Sequence, residues 1–319
     1  MKTLRFATLL MITALLLSAC GGNAAPANPP LRIAMTLWPG VYPAAIAQQQ
    51  GFFAKHNVQV ELVPYENYPQ SYVDLASGKL DGVAAVIGDA LLISDSTKLK
   101  FVFASDYSDG ADQFVAGPEI QSAADLRGKR IGVNFGTYGE FFVRTWLEQN
   151  GVSPNDVTFV NVPAENAGTA YPGQVDAIHA YDPYSTEAIN KGAHVLFTSS
   201  DTPRLALDVM VFPAKLVAER PEDIQAFTDA WFEAVDWMAA NPDQIPAAVS
   251  QASGFPEEYV WMGGDTILTR AESQALMQPG DTPASVYYWT QKYIDFLAAS
   301  GILSKAPAPE DLIVSSFVQ

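Results

Sequence analysis

The sequence predicts an α/β protein made of two successive α/β units followed by a mostly helical stretch, and three observations carry that reading. Apolar strand-like runs alternate with helix-like runs from Leu31 to Phe212, the pattern of a parallel sheet with crossover helices. The alternation restarts once, after residues 112–116. Beyond Pro221 the apolar positions take helical spacing, with Ile224, Phe227, Trp231, Val235 and Met238 forming one face, an aromatic stripe read as core.

The extreme N-terminus stands apart from this body. Lys2 and Arg5 precede an apolar run over residues 6–17, which ends in Leu17-Ser18-Ala19-Cys20. A basic start, a short apolar core and small residues before a cut describe a secretory signal over residues 1–19, too short to span a bilayer. Leu-Ser-Ala-Cys resembles a bacterial lipobox, so Cys20, the only cysteine, is the expected lipidation site. Residues 20–30 read as a lipidated flexible tether, small, proline-containing and uncharged. The expected location is therefore extracytoplasmic, anchored to the cell membrane through Cys20.

The remaining chain is long for a single core. Formal net charge is −17. Removing Lys2 and Arg5 leaves 16 basic against 35 acidic residues, about −19, a balance that favours solubility and argues against nucleic acid.

The first unit opens with a strand over residues 31–37, a Trp38-Pro39-Gly40 turn and a helix near Pro43, where proline suits the first helical turn. An alternating strand over 58–65 follows, then a helix over 67–77 ended by Gly78. A buried strand over 81–87 leads through Gly88-Asp89 into a short helix, and a strand spans 99–107. In the second unit, strands are expected at 129–135, 157–163, 175–181 and 194–198, with helices at 137–150 and 183–191. Residues 205–212 read as a return crossing, 283–300 as an amphipathic helix and 307–309 as a proline-broken linker.

These residues resemble a known family. A lipobox and tether followed by strand, Trp-Pro-Gly and a helix ending in QQGFF is similar to the substrate-binding proteins of ABC importers. More narrowly, it resembles the branch that includes nitrate-, taurine- and sulfonate-binding proteins and the THI5-like proteins that handle thiamine pyrimidine. LASGKLDG (residues 75–82), DLRGKRIGV (125–133) and Val175-Asp176-Ala177 with Tyr181-Asp182-Pro183-Tyr184 resemble later landmarks of that family, with Asp182 where Glu is more usual. The resemblance implies a two-lobed type II periplasmic-binding-protein fold, each lobe a mostly parallel sheet flanked by helices, with two hinge crossings near 113–116 and 207–212. Lobe one would then comprise 31–114 and 211–319, and lobe two 115–210. It also implies a membrane permease as partner and closure of the lobes on a small molecule.

Ligands of open α/β sheets bind at the carboxyl ends of strands, and the candidates are taken from those junctions. They are Trp38 and Tyr42 at the first; Tyr65, Asn67 and Tyr68 at the second; Asp89 at the third; and Asp106 and Tyr107 at the end of the fourth strand. In the second unit they are Gly136, Thr137 and Tyr138 at a helix N-terminus able to hold an anion, and Tyr181, Asp182 and Tyr184. Asp89, Thr137 and Asp182 also fit helix caps. Tyr68 and Tyr72 share a helix face, so at least one is expected to pack.

These positions are rich in aromatics and acids and contain no Lys or Arg. Such a field disfavours sulfonates, nitrate and bicarbonate and favours stacking on a flat ring whose N–H and O–H groups meet Asn and Asp. The expected ligand is a neutral or cationic heteroaromatic metabolite, riboflavin narrowly ahead of a thiamine pyrimidine precursor, with an oxoanion such as taurine, alkanesulfonate or nitrate as the alternative. An enzyme of the THI5 type would need a cysteine motif that this chain lacks. His56, His179 and His194 lack metal-ligand spacing, and no P-loop or nucleophile elbow is found. The expectation is a monomeric binding protein, not an enzyme, with neither cofactor nor metal.

Overall fold

The computed structural model describes residues 28–319. The expected signal segment, the lipidation site Cys20 and residues 21–27 of the expected tether lie outside the described residues. Leu31–Gln319 forms one compact unit and contains two sheet-based lobes.

The first lobe holds β1 (Leu31–Met35), β2 (Val60–Pro64), β3 (Val83–Val86) and β4 (Leu99–Ser108), joined later by β10 (Leu207–Pro213) and β11 (Asp265–Ile267). β1 and β2 pair in parallel, the other four run in the order β11-β4-β10-β3, and a parallel bridge from Ile33 to Gly82 connects the two groups. The second lobe holds β5 (Asp112–Ala116), β6 (Arg130–Val133), β7 (Thr158–Asn161), β8 (Ala177–Tyr181) and β9 (His194–Thr198), in the order β7-β6-β8-β5-β9.

The sheets are mixed rather than mostly parallel. β10 runs antiparallel to β3 and β4, and β5 antiparallel to β8 and β9. The reason is topological: β5 and β10 enter their sheets from the other lobe, not through a crossover helix. Residues 113–116 and 207–212 are thus strands inside the two sheets, and the chain passes between lobes just before them, at 109–111 and 199–206. The two passages touch: the Ser108 and Ser199 hydroxyls lie 2.7 Å apart, and Ser199 Oγ accepts from the Gly110 N–H at 2.7 Å.

The lobes repeat one device. Arg32 on β1 grips Asp81 through Nε and Nη2, each at 2.9 Å, and Arg130 on β6 grips Asp176 at 3.2 and 2.7 Å. Each forked ion pair ties a lobe's first parallel strand to the turn before its third. The Asp of LASGKLDG and that of Val175-Asp176-Ala177 are therefore structural. No fixed sequence period marks this likeness, because only the pairing geometry is shared.

The helical stripe packs as expected. The Pro221–Ala240 helix buries Phe227 and Trp231 against Phe103 of β4, at centroid distances of 6.4 and 5.2 Å, and Phe227 also meets Phe212 of β10 at 5.6 Å. Each such pair contributes about 0.5–1.5 kcal/mol beyond area burial. Two expectations need correction. The stretch after residue 253 is not mostly helical: an irregular segment and β11 precede the Arg270–Leu276 and Val286–Ala299 helices. Residues 307–309 are not simply a proline-broken linker, since Pro309 opens the Pro309–Leu312 helix, and beyond it Ile313 bridges Phe101 of β4 and Phe317 and Val318 are buried. Proline at the start of a helix substitutes harmlessly for a residue whose N–H would be free, so prolines at 307 and 309 do not exclude docking.

Candidate functional site

The carboxyl ends of β1, β2 and β3 face those of β6, β7 and β8 across a cavity of about 820 Å³ lined from both lobes. Nine of the residues expected at the site line it: Trp38, Tyr65, Tyr68, Asp89, Thr137, Tyr138, Tyr181, Asp182 and Tyr184. Five do not. Tyr42 is fully buried in the first lobe's core, because the helix that begins there turns its first residue inward. Asn67 is a helix cap whose side chain accepts from the Gln70 N–H. Asp106, with no exposed surface, lies beneath the Trp-Pro-Gly turn. Tyr107 is half-buried with Arg204 over its ring. Gly136 supplies a backbone turn at φ 77° and donates its N–H to Glu140 Oε2.

The Trp-Pro-Gly turn does place Trp38 on the cavity. Its glycine is needed for a close approach: a Cβ on Gly40 would fall 2.1 Å from Asp106 Oδ2. Trp38 meets Tyr68 edge-on at 5.2 Å, and Tyr68 meets Tyr72 edge-on at 4.8 Å. The three rings form a braced wall. Its hydroxyls are engaged: Tyr68 Oη accepts from the Val86 N–H, and Tyr72 Oη donates to Asp89 Oδ2 at 3.4 Å. Opposite, Tyr181 and Tyr184 pack edge-on at 5.6 Å, and Tyr181 donates to Glu165 at 2.7 Å. Tyr65 donates to Asp74. Tyr65, Tyr68, Tyr72 and Tyr181 thus have engaged hydroxyls.

Asp182 is no backbone cap. Its Oδ1 accepts from the hydroxyls of Ser185 and Thr186 at 2.7 and 2.6 Å. Asp89 caps a helix other than its own, accepting from the Tyr138 N–H of the Tyr138–Gln149 helix at 2.9 Å. With Gly136 N–H held by Glu140, two amides of the turn expected to hold an anion already meet carboxylates of this chain. The cap and the electrostatic field of a helix N-terminus favour an ionised acid there, while burial pushes the Asp89 carboxyl up to about 6.

Several lining residues were missing from the sequence-based candidates. Asp112 on β5 is bonded to His179 on β8, Oδ1 to Nε2 at 2.9 Å. Asp208 on β10 and Asp265 on β11 also line the cavity, as do Phe255, Tyr259 and Trp261 of the segment between the Ile245–Ser253 helix and β11. Burial first, and then the neighbouring carboxylates, raise the Asp265 carboxyl to about 9 and push Asp208 well above the ordinary range. Asp208 sits within a run that reads as a crossing and Asp112 directly precedes one, so neither stood at a strand end expected to carry ligand contacts. The GFPEEYVWMGGD stretch offered a signal: an aromatic, glycine-containing segment between helices is a common carrier of function. Of the lining residues eight are acidic and none is Lys or Arg. No group of His, Cys, Asp and Glu suited to a metal ion occurs among the described residues.

Comparison with known proteins gives the following. The sequence model of the NMT1-like family matches residues 24–253. The taurine-binding periplasmic protein of Escherichia coli K12 is 27% identical over 249 residues, covering 73% of this chain and 77% of that one. The riboflavin-binding protein RibY of Chloroflexus aurantiacus is 24% identical over 355 aligned positions, covering 100% and 99%. Among solved structures, the alkanesulfonate-binding protein SsuA of Xanthomonas axonopodis pv. citri bound to MOPS superposes with a TM-score of 0.70 at 19% identity, covering 92% of this chain and all of that one.

Proposed function

This chain belongs to the NMT1-like family, and on that premise we propose that it is the extracytoplasmic substrate-binding component of an ABC importer, closing its two lobes on a small organic ligand. Its role is binding rather than catalysis. One observation carries the reading: a cavity of about 820 Å³ is lined by strand ends of both lobes, so its walls separate when the two passages at 109–111 and 199–206 flex. The anchor is a lipid on Cys20, and the partner is a membrane permease that reads the closed form. Release of a Cys20→Ser variant from membranes tests the anchor.

Two readings of the ligand differ in charge. The names of the relatives favour the oxoanion alternative over riboflavin, since taurine and alkanesulfonate binders stand against one riboflavin binder, whose 24% identity is below the taurine binder's 27%. The lining favours a flat ligand with N–H groups, because it supplies aromatic faces and acids without Lys or Arg. A melting-temperature panel of riboflavin, an aminopyrimidine, taurine, an alkanesulfonate and nitrate separates them. A shift with the aminopyrimidine, or quenching of flavin fluorescence, supports the ring; a shift confined to taurine, alkanesulfonate or nitrate selects the oxoanion.

A further inference from the structure

Asp208 is 5% exposed, lines the cavity, and its side chain makes no hydrogen bond or ion pair among the described residues. Asp265 lines the same cavity from β11, and its Oδ2 is buried without a partner. Their strands flank β4 on either side: Tyr107 pairs with Leu207 on one edge and Thr266 on the other. A third group in the same cavity is unsatisfied. Tyr138, 4% exposed, comes from the opposite lobe, and its hydroxyl has no partner although Asp89, Asp112 and Asp208 all lie within electrostatic reach.

An acid removed from water without a partner holds its proton, because its ionised form is disfavoured there. A chain with a basic residue to spare would ordinarily cover it, yet none of the lining residues is Lys or Arg, and the one basic side chain there, His179, is engaged by Asp112. Asp208 and Asp265 therefore have no complement among the described residues, and a group bearing positive charge and N–H donors is the one that would draw them into their ionised form. The Trp38, Tyr68 and Tyr181 rings add faces suited to the same group or to an attached ring.

We propose that the ligand carries a cationic N–H group, an alkylammonium or amidinium attached to a flat ring, which seats against Asp208 and Asp265 while Tyr138 Oη takes up a further polar atom. This rests on the reading of the cavity as the ligand site and narrows the class of ligand it takes.

The test uses three probes of similar shape and different charge at neutral pH: benzylamine, benzyl alcohol and phenylmethanesulfonate, titrated into the purified protein by ligand-observed NMR. Benzylamine is expected to bind at least tenfold more tightly than the sulfonate. Asp208→Asn and Asp265→Asn, each checked for an unchanged circular dichroism spectrum, should lower benzylamine affinity at least fivefold and leave benzyl alcohol unaffected. Sulfonate binding equal to or tighter than that of benzylamine, or an unchanged preference in both Asn variants, overturns the cationic group. If that sulfonate binding is lost in Trp38→Ala, the cavity still captures ligand and only the charge assignment fails. If none of the three probes binds, both the charge assignment and the capture reading fail.

Discussion

The carboxylate of Asp89, in a short helix of the first lobe, accepts a hydrogen bond from the backbone N–H of Tyr138 at 2.9 Å and so caps the Tyr138–Gln149 helix of the second lobe. One residue thereby closes a contact between the lobes and fills a position at which an anionic ligand would be received.

Asp89→Ala should reopen that helix terminus. Loss of the cap is expected to cost about 1 kcal/mol of stability, partly offset by removal of a desolvated acid. Affinity for methanesulfonate, measured calorimetrically, should rise at least fivefold. Unchanged affinity would show that the turn is not an anion seat even when vacated.

Stability should fall as pH rises. In the folded chain the carboxyls of Asp89, Asp106 and Asp265 lose their protons near 6, 7 and 9, each raised chiefly by burial, and burial raises Asp208 as well. In the unfolded chain they ionise near 3.9. Between about pH 4 and pH 9 the folded state therefore binds more protons, and stability declines with increasing pH. The contribution is fully present below about pH 4 and is lost as pH rises from there through the folded values, the loss from each group being complete once its own folded value is passed. Partnered carboxylates such as Asp176, held low first by Arg130, act in the opposite sense and only in acid. A melting temperature lower by roughly 5 °C or more at pH 9 than at pH 5 is expected. A flat profile would contradict the burial of these groups.

Trp38→Ala should weaken ligand binding about tenfold, or roughly 1.4 kcal/mol. The ring is only partly buried and packs edge-on against Tyr68, so the variant is expected to keep a cooperative thermal transition. Equal affinity would remove Trp38 from the site.

Gly40→Ala should destabilise the chain by about 1–3 kcal/mol, as overpacking commonly does, because the added methyl meets the Asp106 carboxylate. Asp106→Ala in the same chain should recover part of the loss of melting temperature. Without recovery, the clash is not the cause.

The turn over residues 36–40 shows how far sequence reading reached. Trp38 was legible because a strand ending in a Pro-Gly turn must deliver its last side chain to the sheet's carboxyl edge. Tyr42 was not, since one residue of helical phase decides whether a ring faces the core or the cavity. Asn67 reads in the sequence as a ligand contact, and only the Gln70 amide within reach of its side chain makes it a helix cap.

By itself the sequence determined the alternation of strands and helices, the two-unit organisation, the aromatic core stripe and the acidic, aromatic character of the site. These are local or compositional, set by periodicity, turn residues and charge. Tertiary structure decided what depends on residues distant in the chain: that β5 and β10 run antiparallel to their neighbours, that Asp89 caps a helix 49 residues away, and that Asp208 and Asp265 converge on one cavity without partners. Two carboxylates 57 positions apart cannot be known to share a low-dielectric space until the sheet brings their strands to either side of β4. That convergence, more than any single motif, sets the charge the ligand is expected to carry.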